Sequence, residues 1–85
     1  MHNELIPGLV VPAAFHGTFR KRLAEVASAD SRGHCRQAQA RAEGLIEALE
    51  NLTQGIAALH IERLYLLVES TAMARLIELE QGEGE

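Results

Sequence analysis

The sequence predicts an all-α protein: a short N-terminal helix followed by a long helix or a helical hairpin, assembled as an intertwined homodimer. Three observations carry this. From His34 to about Glu80 no proline interrupts the chain, and apolar residues recur every seven positions at Ala38, Leu45, Leu52, Leu59, Leu66 and Met73. An interleaved series, Cys35, Ala42, Leu49, Ile56, Arg63, Ser70 and Ile77, completes an a/d heptad pattern that only Arg63 and Ser70 interrupt. A second apolar stripe follows Gly55, with Ala57, Ile61, Leu64, Val68, Thr71 and Ala74, so that around Leu64–Val68 the helix is apolar nearly all round. Such a helix has to be covered on several sides. At 85 residues the chain is small for that task, and its single Cys rules out an internal disulfide. A second subunit is the remaining source of cover.

The elements follow in order. Residues 1–12 read as an extended apolar arm carrying Leu5, Ile6, Leu9, Val10 and Val11, because Pro7 and Pro12 hold their predecessors in β or polyproline conformations. The arm packs on its own domain or swaps onto a partner. Residues 13–29 read as a first helix, with Pro12 suited to the first helical position and Thr18 as an alternative N-cap behind Gly17. Phe15, Phe19, Leu23 and Val26 form one apolar stripe on it, a core face that can also serve as a docking face. Residues 29–33 read as a break in which Asp30 or Ser31 caps the next helix. The helical domain as a whole spans residues 13–81; Gly82 ends it, and residues 82–85 form a flexible acidic tail.

The segment Asn51-Leu-Thr-Gln-Gly55 is where a hairpin would turn. The heptad phase runs straight through it, which favours one continuous helix of about 47 residues, roughly 70 Å long at 1.5 Å per residue, kinked or weakened near Gly55. Either form needs a partner chain over the second stripe.

Charge and composition narrow the function classes. Lys and Arg number 8 against 12 Asp and Glu, a net charge of −4, which disfavours nucleic-acid binding driven by bulk charge. The charge is nonetheless polarised: residues 15–41 carry a net +4 and residues 42–85 a net −7. The two halves are suited to meet across an antiparallel subunit interface, where complementary charge sets orientation more than affinity. His34-Cys35 is the only adjacent pair of metal-ligating residue types, too few for a site, so no metal or cofactor is expected. Cys35 falls on the packing stripe; as a nucleophile it would need a positioned base and a pocket, and no catalytic set is evident. The stretch from Leu23 to Gln37 superficially resembles a helix-turn-helix, but the would-be recognition helix runs on into the heptads. Asn51-Leu52-Thr53 is a formal glycosylation sequon without a secretory signal to give it meaning. A start of Met-His-Asn-Glu lacks the basic n-region of a signal peptide, and no apolar run is long enough to span a bilayer, so a cytoplasmic, bacterial protein is expected.

The segment from His60 to Leu79 resembles the last helix of the small helical antiactivators of LuxR-type quorum-sensing regulators. The resemblance is a His-Ile start, an apolar-acidic stretch, then small residues and Met73 before Leu76-Ile77, and it covers roughly the C-terminal quarter. It implies a dimer that binds a transcription activator and blocks its dimerisation or DNA binding. No functional residue carries over from the family. The expected function is therefore a non-enzymatic regulator that sequesters a transcription regulator; the alternatives are a self-assembling helical module and a small DNA-binding protein using the basic N-terminal half. The expected dimer interface comprises Leu45, Leu49, Leu52, Ile56, Leu59, Leu66, Met73 and Ile77. The expected partner-binding residues are Leu9, Val10, Phe15, Phe19, Leu23, Arg20 and Arg22.

Overall fold

The computed structural model describes residues 11–52 and 56–83. They form three helices, α1 (Ala13–Ala27), α2 (Arg32–Leu52) and α3 (Ala58–Glu83), and no strand is present among the described residues. Each helix packs against the other two.

Local chemistry sets the boundaries. Pro12 occupies the N-cap of α1 with φ −56° and ψ 143°, and the His16 amide donates to its carbonyl at 3.1 Å. The helix therefore starts before Thr18, and Gly17 sits inside it. At the other end the Ser28 amide and hydroxyl both donate to the Ala24 carbonyl, at 3.0 and 2.8 Å. This doubled bond closes the last turn of α1. Ser31 then caps α2: its Oγ accepts the His34 amide at 3.1 Å, and its carbonyl accepts the Cys35 amide at 2.9 Å. Asp30 reaches the His34 ring across the same turn. The hydrogen bond and the charge of His34 hold the Asp30 carboxyl below its ordinary pKa. α3 begins on the Ala57 carbonyl, which accepts from His60 and Ile61 at 2.9 and 3.3 Å.

The continuous helix favoured by the heptad phase is not what forms. α2 ends at Leu52, α3 begins at Ala58, and the two pack against each other, which is the hairpin arrangement. The physical reason is burial. A straight helix would leave Ile61, Leu64 and Val68 with nothing of their own chain to cover them. Folding back sets them against Ala42, Ile46 and Leu49 of α2 and Phe19 of α1 in one buried cluster. Val11, Phe15, Leu23, Leu45, Ile56, Tyr65 and Leu67 pack around that cluster. A second cluster, Val26, Ala29, Cys35, Ala38 and Ala72, fills the end of the bundle near the α1–α2 turn. Small residues dominate there. Gly82 does not end the last helix, which runs to Glu83. The arm assigned to residues 1–12 lies outside the described residues as far as position 10; of the rest, Val11 is half-buried against the core.

The inner cluster sets a testable cost. Leu64 and Ile46 are both fully buried, and Leu64→Ala or Ile46→Ala should each destabilise the fold by about 2–5 kcal/mol through lost transfer energy and a residual cavity. Urea denaturation followed by circular dichroism reads this as a lower midpoint with an unchanged slope.

Candidate interaction site

α3 is the element whose chemistry is least satisfied by the rest of the chain. Its inner face, Ile61, Leu64, Val68 and Ala72, is buried. Positions two apart lie about 200° apart around a helix, so Leu59, Leu66, Met73 and Ile77 project from the opposite side. They are 52%, 55%, 63% and 51% exposed and are the large exposed hydrophobics among the described residues. Exposed Arg63 and Ser70 stand between them, so the seam runs along most of the helix with two polar interruptions. Scattered surface leucines are ordinary, whereas several large apolar side chains gathered on one face mark an interaction surface.

The rim of this seam is polar. Exposed Glu62 and Glu69 flank one edge, and half-buried His60 lies beside the other. An open groove between α2 and α3, lined by Arg36, Gln39, Glu69, Ala72, Met73 and Leu76, runs alongside. Ser70 turns its hydroxyl back to the Leu67 carbonyl at 3.1 Å, so its polar atom has a partner without leaving the helix. Arg75 ties α3 to the rest of the chain. Arg75 Nε donates to the Ala29 carbonyl at 2.7 Å, tying the helix to the α1–α2 turn, while Nη1 pairs with Glu78 at 3.1 Å. Farther up, burial pushes the Tyr65 hydroxyl above its ordinary pKa of 10.0, and Glu50, Glu47 and Glu43 of α2 add to the shift.

The residues expected at the dimer interface therefore divide. Leu59, Leu66, Met73 and Ile77 come together on the outer face of α3. Leu49 does not join them; it is buried in the chain's own core, with half-buried Leu45 and Ile56 at its edge. The Leu52 side chain lies outside what the structure describes. The partner-binding residues expected on α1 are corrected likewise. Phe19 is fully buried, and Phe15, stacked on it with ring centroids 5.5 Å apart, packs with Leu23 against the same cluster. Phe19 is therefore a core residue, with half-buried Phe15 and Leu23 packed at its edge. Arg22 pairs with Glu25 at 2.9 Å, and Arg20 is exposed. Leu9 and Val10 lie outside the described residues. Sequence reasoning missed Ile46, which belongs to neither heptad series, and Arg75, whose contact with Ala29 no local pattern signals.

Cys35 is fully buried, its Sγ 3.8 Å from the Ala72 carbonyl oxygen. Among the described residues no group of three or more His, Cys, Asp or Glu could hold a metal ion, and no helix is long and apolar enough to cross a membrane. No protein-family model, no curated protein and no solved structure matches the chain.

Two measurements test the way α3 is held. Arg75→Ala should cost about 1–2 kcal/mol, because it strips a charged donor from the Ala29 carbonyl, and should lower the thermal midpoint. The Tyr65 pKa is raised in the folded state, so its contribution is fully present below pH 10.0 and lost as pH rises through the raised value. Melting temperature should fall more steeply above pH 10 in the wild type than in Tyr65→Phe; parallel curves would show that neither burial nor the acids of α2 raise the phenol's pKa.

Proposed function

We propose that the protein is a non-enzymatic regulator that acts by binding another protein through the outer face of α3, and that its target is a transcription regulator. The single observation that supports this is the seam of four large, half-exposed apolar side chains on one side of a helix whose other side is already buried. Amphipathic helices are recognised through anchors at this spacing, laid against an apolar face of similar length. The likeness of His60–Leu79 to the last helix of LuxR-type antiactivators points to the activator as the target, because that helix carries the seam here. Sequestration needs no chemistry on the target: it needs an apolar surface that competes with the contacts the activator uses to dimerise or to hold DNA.

Co-expression with a LuxR-type activator and its reporter tests the reading. The wild type should repress the reporter, and Leu66→Lys/Met73→Lys should not, although its helical signal stays intact because neither side chain supports the core. A reporter indifferent to the wild-type protein, or repressed equally by both chains, would overturn the proposal.

A further inference from the structure

In the free protein the seam itself must be covered, and its own pattern identifies the cover. The large exposed hydrophobics among the described residues all belong to this one face. A second copy can therefore match it only by presenting the same face, which requires a two-fold arrangement. The seam positions Leu59, Arg63, Leu66, Ser70, Met73 and Ile77 alternate in steps of four and three residues, a spacing that reads the same from either end. Laid antiparallel, a-type positions of one helix face d-type positions of the other in a closed set of layers.

Charge distinguishes the two possible directions. In a parallel pair Arg63 would face Arg63 of the second copy, like charge against like charge in the middle of an apolar seam. In an antiparallel pair centred at Val68, the two arginines stand about 15 Å apart along the axis. Arg63 then lies opposite Met73 of the second copy, and His60 and Arg63 come within about a turn and a half of its exposed Glu78, with only Ala74 between. The helix ends agree. The first turn of α3 contains no acid and its last turn no base. Antiparallel pairing sets Glu78 and Glu80 of each copy beside the N-terminal pole of the other, where negative charge is favoured. The opposing contacts lie along the acidic edge: Glu69 meets Glu69 of the second copy, and Glu62 comes within about a turn and a half of it, both at the exposed rim, where repulsion is modest and screened by salt.

We propose that two copies pair antiparallel through the outer seam of α3, in the register that sets Leu59 against Ile77, Arg63 against Met73 and Leu66 against Ser70 of the second copy. This rests on the reading of that face as the interaction surface.

Directed cross-linking tests both direction and register. Leu59→Cys and Ile77→Cys variants are mixed, oxidised, and blocked with N-ethylmaleimide before denaturation, so that buried Cys35 does not contribute. The mixture should yield the disulfide-linked heterodimer as its main product. Each variant alone should not cross-link, since like positions would lie about 27 Å apart. Self-linking of either variant alone would mean parallel pairing and would overturn the proposal. Sedimentation of the unaltered protein should show a dimer; a monomer there, with no cross-link in the mixture, would overturn it too. Either failure can occur with reporter repression still abolished by the seam variant, in which case the seam binds a target and not itself. A correct cross-link with unaffected repression by that variant would instead sink the functional reading alone.

Discussion

One constraint organises this molecule: α3 is apolar on two opposite faces, and the chain supplies cover for one. α1 and α2 close over Ile61, Leu64 and Val68, and in doing so commit their own apolar stripes, Phe19 and Val26 on α1 and Ala42, Ile46 and Leu49 on α2. None of the large exposed hydrophobics among the described residues lies on those two helices. Nothing in the described bundle remains to shelter Leu66 or Met73. The outer seam is thus a direct product of folding, and not a local defect in packing.

The all-α class and the short first helix were legible because each rests on local chemistry. Pro12 starts α1, the serines at 28 and 31 stop one helix and start the next, and the absence of proline lets α2 and α3 form. The connection between α2 and α3 was not, and the reason is instructive. Heptad phase reports which side of a helix is apolar, but not which copy or segment lies against it. Cys35, Ala38, Ala42 and Leu49 obey the same phase as Leu59, Leu66 and Met73, yet the first set faces inward and the second outward. The in-phase reading across Gly55 merged two surfaces with different fates. Of the second stripe, the chain uses Ile61, Leu64 and Val68 for its own core, while Ala57 and Ala74 are exposed. For the same reason the α1 phenylalanines looked available: a stripe on a short helix does not say whether the core has spare area to cover, and here it has none.

Electrostatics plays a supporting part. The pairs Arg22–Glu25 and Arg75–Glu78 join residues one turn apart, contacts worth about 0–1 kcal/mol each at the surface. The sequence-level separation of basic and acidic halves therefore does little through these pairs to hold the bundle. Arg75 matters more through the Ala29 carbonyl, which fixes the α1–α2 turn against α3 and so sets the direction in which the seam points. Along α3 the inner residues Ile61, Leu64, Val68 and Ala72 are buried and hold the helix in place, while Leu59, Leu66, Met73 and Ile77 are exposed.

The chain contains two methionines, Met1 and Met73, and the second sits mid-seam. Its methyl group is a direct reporter of whether this face meets another protein surface. Followed by carbon–proton correlation NMR through a dilution series, the Met73 methyl resonance should move from a shifted, packed position at high concentration toward the value of a solvent-exposed methionine as copies separate. A resonance fixed at the exposed value at every concentration would contradict the account.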